Sequence, residues 1–551
     1  MIERDGQFTW PEDQVYGGIR QDASESVSRY RYLQNVNLSV YNSIVKDKGV
    51  RRLTDSSLYS GGEIYTLFDT RFHGGVQKLV AFANNGTNGK CNVFNTDRSW
   101  SEQTPTFAQV RPSVNMFGNR MVILDGSTLR SWTGSAWATP GNSTVNPCTF
   151  AVVYKNRLIC FGDPSNPYYF YPSDIRTRMN WDGTDWDANY AVEVTDSRGE
   201  EIKGAMVVGS FLIVGGRTFT HAHVAGSKSR YDWDWDELSS HVGPINFESC
   251  LSISRAYGND LQNYGFFWSE EGPMMVVQQG QGLPSVLPLW ESIRYAVRGE
   301  TYQGMTGLNT ALFSKIETVW DVESREVRFA CASSASSEND MLLCLDLDSA
   351  IRFALGAGDD PQAYPYWRVR NNSTWNFPAQ AVGTVQVDDS TGLPSTTGRN
   401  KTLIGRDGYL YEMDSDTSCY DMGVYPIRLV VTRDGYDGFA DRIREHTKSL
   451  RQVRVRTTQE GNYKLYVRMR ADGGRVSTPA EIDLSSGLLL WGDGRSWGDG
   501  TRWNSGEFVT ERGGVGLLGQ KFDMDMYDDG NIRAPVQINS WAFMGYTEDR
   551  R

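Results

Sequence analysis

From about Glu63 to Ser415 one pattern of apolar and polar positions recurs. A short apolar run is followed by a turn, then a second run, often closed by Trp or Tyr. The runs are Lys78-Leu79-Val80-Ala81-Phe82, Met121-Val122-Ile123-Leu124, Leu158-Ile159-Cys160-Phe161 and Phe211-Leu212-Ile213-Val214, then Gly265-Phe266-Phe267-Trp268, Val327-Arg328-Phe329-Ala330 and Thr402-Leu403-Ile404-Gly405. Uninterrupted runs bounded by turn signals predict strands buried on both faces. Two units match closely: Phe117-Gly118-Asn119-Arg120 leads into one run as Tyr154-Lys155-Asn156-Arg157 leads into the next. The Asn-Arg before each run predicts a tight hairpin turn, because Asn tolerates the left-handed region. The units recur every ~40–75 residues, against about 40–50 for a four-stranded propeller blade, and insertions account for the excess. The pattern predicts a β-propeller. A large sandwich or a β-helix is the alternative that the same pattern allows. The best short helix candidate is Pro288–Val297, and no long helix is expected.

After Asp421 the texture changes. Pro426–Thr432 reads as a strand. Gln452–Thr457 and Tyr463–Arg470 alternate apolar and polar with period two, the signature of strands with one face buried and one in water. The last strand falls near Val536–Met544. These predict a β-sandwich. The expected organisation is an N-terminal arm over 1–60, packing on neighbours or on the sandwich, a propeller over 61–420 and a sandwich over 421–551. The arm holds one alternating stretch, Val36–Val40, and a basic turn, Lys46–Arg52.

Composition sharpens this picture. A chain of 551 residues exceeds what one hydrophobic core usually supports, so two or more domains are expected. The 56 Gly, 17 Trp and 27 Tyr suit short strands and tight turns. The net charge of −12 argues against a nucleic-acid binder of the usual kind, which needs a basic face. It leaves room for a conduit, where like charge would repel DNA and let it slide. No basic segment precedes an apolar run at Met1–Asp5, so no signal peptide is expected, and no apolar stretch is long enough to predict a membrane span. The seven cysteines are dispersed without a CxxC pair, which reads as reduced, mostly buried thiols in a protein made in a cytoplasm.

Candidate chemistry is sparse. There are five histidines. His221-Ala222-His223 places two imidazoles on one face of a strand, where they could bind a metal, but no third ligand is evident and a structural strand is the favoured reading. Asp182–Asn189 is acidic but lacks the spacing of a helix-loop-helix calcium site, and reads as a solvated turn with an aromatic anchor. Asp232-Trp233-Asp234-Trp235-Asp236 reads as an edge strand, with a sugar-stacking surface as the second choice. No nucleotide-binding loop and no clean sialidase-type turn is found. No catalytic residue, cofactor or metal is therefore expected. Arg451, Arg454, Arg456, Arg468 and Arg470 lie on the sandwich strands. Arg454 and Arg456 share one face, as do Arg468 and Arg470. They read as a solvated face or, functionally, as a subunit or partner interface, where Arg is favoured over Lys. Trp491, Trp497 and Trp503 sit in a glycine-rich Trp-Gly-Asp-Gly repeat that predicts a loop of exposed aromatics.

The order of these pieces resembles the propeller-type tail nozzle, or tail-tube, proteins of short-tailed bacteriophages. The resemblance is carried by Leu33–Leu38 followed by Lys46–Arg52, then Tyr154–Asp163, Ser173-Asp174 and Trp181. It continues through Val192-Glu193-Val194, Glu201–Ala205, Trp268–Gly272, Gly408–Asp414 and the strand starting at Pro426-Ile427. It covers most of the chain as an order of pieces rather than one diagnostic motif. It implies a non-enzymatic structural protein of the virion tail, assembled in the host cytoplasm as a homohexameric ring under the adaptor and portal. Double-stranded DNA would pass through without specific binding. Loops would gate the channel, and fibres or spikes would attach outside for engagement with the bacterial surface. Two other functions fit an all-β chain of this kind: a glycan-binding, receptor-recognising propeller, and a glycosidase.

Overall fold

The computed structural model describes residues 7–12, 30, 32–37, 43–60, 62–194, 199–225, 233–257, 260–278, 280, 282–302, 304–356, 365–372, 375, 377, 379–388, 391–414, 419–422, 424–436, 447–457, 463–472, 474–484, 509–530, 532 and 536–548. Among them the chain is all-β: a β-propeller followed by a β-sandwich.

Seven four-stranded units follow one another. Their innermost strands are Ile64–Phe72, Ser113–Phe117, Phe150–Tyr154, Gly204–Val208, Leu251–Tyr257, Glu317–Asp321 and Ala381–Val387. Each inner strand neighbours the next, and the seventh returns to the first, so the blades close a ring. Each of the seven apolar runs lies on the second strand of a blade. The reason is visible in the core, which divides into one cluster per blade interface. Met121 and Ile123 pack toward blade 1 with Phe82 and Trp132, while Val122 and Leu124 pack toward blade 3 with Leu158 and Cys160. A strand with a blade on either side has no solvated face, so its sequence loses alternation.

The two matching hairpins turn differently. Lys155 and Asn156 both take positive φ, at 46° and 61°. In the earlier blade Gly118 takes it, at 66°, and Asn119 instead accepts a hydrogen bond from the His73 amide. The left-handed residue expected at Asn119 is therefore displaced one position, to the glycine that carries no steric cost there. Of the helix expected over Pro288–Val297, Pro288 instead ends the strand Ser285–Pro288, and the helical part is a 3-10 turn, Glu291–Ile293, followed by an α turn, Arg294–Val297. A helix the sequence reading missed, Leu347–Ala354, follows blade 6's third strand and is capped by Asp346, whose carboxylate accepts from the Ser349 amide at 2.7 Å.

The seventh blade is completed from the other end of the chain. Its outer strand is Arg51–Arg52, antiparallel to Tyr409–Glu412. The fourth strand of blade 6, Trp367–Arg370, pairs in parallel with Tyr32–Gln34, which pairs in turn with Val430–Tyr436 of the sandwich. One ten-stranded sheet thus runs from the propeller into the sandwich. The sandwich strand expected from Pro426 begins at Val430, because Tyr425–Pro426 makes a separate short pair with Tyr420–Asp421. The second sandwich sheet holds Thr447–Thr457 between Val509–Gly519 and Gln537–Glu548, with Gln7–Glu12, Val36–Asn37 and Ile44–Lys46 added from the N-terminal segment. The two sheets share a core with blades 5 and 6, in which Trp268, Phe329 and Trp367 belong to the same cluster as Val453, Val467 and Phe543.

Candidate functional sites

The inner strands of the ring enclose a cavity of about 360 Å³, walled by Phe68, Phe150, Phe247 and Met206 as well as by Thr66, Asn115 and Ser252. Its charged groups come from blade 6 and from two inter-blade links. Glu317 is buried; its Oε1 meets Arg111 Nη1 at 2.5 Å and its Oε2 accepts from the Val382 amide at 2.7 Å. Burial pushes the Glu317 carboxyl up to about 7, against the pull of Arg111, and the neighbouring Glu248 adds to the rise. Burial likewise raises Glu248, and Arg111 opposes it. Glu317 is thus ion-paired with Arg111, and Glu248 lies within the electrostatic reach of the same guanidinium. Sequence reading gave no signal for them, since nothing local distinguishes these glutamates among 67 acidic residues.

A second charged cluster sits where the propeller closes and the sandwich attaches. Arg368 donates bidentately to Glu326 at 2.5 and 2.7 Å and to Asp47 at 2.6 Å. Arg328 meets Asp321, Glu326 and Asp414 at 3.1, 3.2 and 2.8 Å. Arg370 donates to Asp421 at 2.7 Å and to Asn35 at 3.2 Å. All three arginines are buried. Burial raises the Asp47 carboxyl despite Arg368 and Arg370. At Asp414 burial pushes the same way, but Arg328, Arg368 and Arg370 outweigh it and hold the carboxyl below its usual range. Lys46 is buried against Asp528, and Arg51 pairs with Glu412. Lys46, Asp47 and Arg51 of the basic turn are therefore engaged in ion pairs within the chain, while Arg52 lies over the Tyr409 ring at 5.1 Å. The sequence did carry a signal here: Arg328 interrupts an apolar run whose two faces are both covered, and an arginine in such a place must bring partners with it.

The sandwich arginines separate into two groups. Val453 and Val455, and Leu465, Val467 and Met469, face the core, as the alternation predicts. Arg468 and Arg470 stand on the other side and both close on Asp525, at 2.9 and 2.6 Å. Arg454 lies directly across from Arg512 in the neighbouring strand, with Ala542 on its other side. Arg456 and Arg512 are exposed. Cross-strand neighbours share a face, so this one sets like charges opposite each other. Trp491, Trp497 and Trp503 lie outside the described residues.

The remaining candidates have structural partners. His221 and His223 are buried between blades 3 and 4 under Trp235, whose ring stacks on His221 at 4.7 Å, with Phe170 edge-on to His223. Burial, and then His221, lower His223 to about 3, so it is neutral. No group of three or more metal-ligating side chains occurs among the described residues. In the acidic turn, Asp182 accepts from Thr184, and Asp185 from the amides of Asn180 and Asp182. Asp185 and Trp186 are buried. The aromatic anchor expected for this turn is Trp186, and the buried Asp185 anchors it as well, so its middle is withdrawn from solvent. Trp233–Ser239 is the outermost strand of blade 4, with Asp234, Asp236 and Glu237 exposed. The seven cysteines are free thiols. Among the described residues no helix is long and apolar enough to cross a membrane.

No family model matches this chain, and no curated protein matches it. Among solved structures, exo-β-1,3-galactanase from Phanerochaete chrysosporium aligns at 9% identity over 91% of this chain and 100% of its own, with a TM-score of 0.25. Hsv2 of Kluyveromyces lactis aligns at 7% over 68% and 95%, with a TM-score of 0.33. The extracellular domain of a hybrid two component system from B. thetaiotaomicron aligns at 9% over 89% and 64%, with a TM-score of 0.38. Likeness at this level carries no inference about chemistry, and the fold assignment rests on the seven sheets and their closed ring.

Proposed function

We propose that this chain is a structural subunit of the tail of a short-tailed bacteriophage, one copy in a ring-shaped nozzle through which DNA leaves the particle. The observation that carries this reading is the fusion of propeller and sandwich through one ten-stranded sheet and one shared core. A body without a hinge at that junction suits repetition about a closed rotational axis. The order of sequence pieces described above supports the same assignment.

The geometry also limits how such a nozzle would work. The central cavity of one propeller, about 360 Å³, is lined by side chains from all seven blades. In this reading the conduit lies between copies, around the ring axis, and not through a propeller whose centre carries side chains from every blade. The net charge of −12 suits a lumen that repels DNA. The outer sandwich face, where Arg454 lies across from Arg512 and Arg456 is exposed, is a candidate for contact between subunits or with the adaptor, and Arg468 and Arg470 with Asp525 form a second charged group on the other sheet.

The test is the solution mass of the purified chain, alone and beside its portal and adaptor, with negative-stain images. A hexameric ring with a hole on the order of 20 Å, enough to clear the grooves of duplex DNA, is expected. Arg454→Glu with Arg456→Glu should weaken ring formation. A chain that stays monomeric or trimeric beside its neighbours overturns the proposal.

A further inference from the structure

In an antiparallel four-stranded blade, the turn between the second and third strands lies at the same end as the link to the next blade. That rule collects five stretches of this chain on one face of the ring. They are the turn at Arg217 in blade 4, the link at Ile245, the turn at Glu270-Glu271 in blade 5, and the two short helical segments of the link from blade 5 to blade 6. Together they enclose a cavity of about 640 Å³. This lies within the usual range of about 300–1,000 Å³ for small-ligand sites.

The walls are held in place by the fold. The Ile245 amide donates to Trp268 O at 3.0 Å, and Asn246 Nδ2 donates to Ser314 O at 2.9 Å. Asn309 caps the second helical segment through the Ala311 amide. Trp290 is half-buried with its inner side packed on the core clusters of blades 4 to 6, and Phe313 closes the floor. The rim is charged. Arg217 and Glu270 make only a long contact of 3.5 Å, and both side chains are about 60% exposed. Arg294 lies over the Tyr295 ring at 5.1 Å. Arg298 is exposed, one helical turn further on.

We propose that this pocket binds an acidic saccharide. The sugar ring would pack against the part of Trp290 that lines the cavity, a rigid aromatic with little entropy to lose. The anionic group would be received by Arg298 with Arg294, whose forked donors match carboxylate or phosphate. The ring hydroxyls would donate to Glu270 and Glu271. The site belongs to a single propeller, so it stands whether or not the chain forms a ring.

The experiment is isothermal titration of the full-length chain with three probes: tetragalacturonate, glucose 1-phosphate and maltotetraose. At least one anionic probe should bind about tenfold or more tightly than the neutral one, and which of the two does so separates carboxylate from phosphate. Arg298→Ala should lower that affinity by about tenfold or more without moving the unfolding temperature, and Arg298→Lys should recover part of it. Equal binding of all three probes, no binding of any, or an Arg298→Ala chain that binds like the parent would each overturn the proposal.

Discussion

At Arg368 a guanidinium with almost no solvent contact meets Glu326 and Asp47 at once. Removing it strips two buried acids of their shortest partner and leaves Glu326 to Arg328 at 3.2 Å and Asp47 to Arg370 at 3.9 Å, which costs more than the net worth of the pair. Arg368→Ala is expected to destabilise the fold by about 3–5 kcal/mol, read as a lower urea midpoint. Glu317 gives a pH dependence of known sign. Its folded-state pKa of about 7 lies above its ordinary value of 4.5, so the folded protein holds the extra proton. The associated stability is complete below about pH 4.5 and is lost as pH rises through 7. Between those values the parent should lose on the order of 2–3 kcal/mol relative to Glu317→Gln. Unfolding curves of both proteins at pH 4.5 and pH 8 check this; parallel behaviour at the two pH values would remove the buried-acid account.

At the scale of elements, the closing strand of the ring is short. Arg51–Arg52 makes two ladder pairs, and the following stretch continues the contact through Leu53 N to Leu410 O at 2.8 Å and Leu58 N to Gly408 O at 2.9 Å. Gly408 makes this approach feasible. Its φ is +78°, and a Cβ there would stand 2.4 Å from Leu58 O. Gly408→Ala should therefore cost about 1–3 kcal/mol and should loosen the closure locally. Hydrogen exchange should rise at Leu53, Leu58 and Leu410 while the central strands of blades 3 and 4 keep their protection. Exchange that rises evenly over all blades would mean that closure is not a separate unit.

For the whole molecule, the shared core predicts how it unfolds. Blades 5 and 6 and both sandwich sheets contribute to one apolar cluster, and the N-terminal segment is hydrogen-bonded to both parts. Neither part can lose its packing while the other keeps all of its own. Urea unfolding followed by far-UV circular dichroism and by Trp fluorescence should give coincident transitions. Two separated transitions would show the sandwich and the propeller to be independent, and would weaken the rigid-subunit argument for a ring.

What the sequence determined by itself was whatever depends on neighbours along the chain. The seven apolar runs marked the second strand of every blade, because a strand covered on both faces shows it in its own composition. The period-two stretches around Val453 and Val467 marked the sandwich for the converse reason, one face being left to water. Partners that lie far apart along the chain were decided only by the tertiary structure. Asp47 and Arg368 are 321 positions apart, and Arg51 and Glu412 are 361. No local pattern can pair such residues, since it is the curvature of seven packed sheets that brings the two ends of the ring together. The same holds for Glu317 and Arg111, and for Trp290 with Arg217: each is ordinary in its own stretch, and becomes a site only when the ring sets it beside the other.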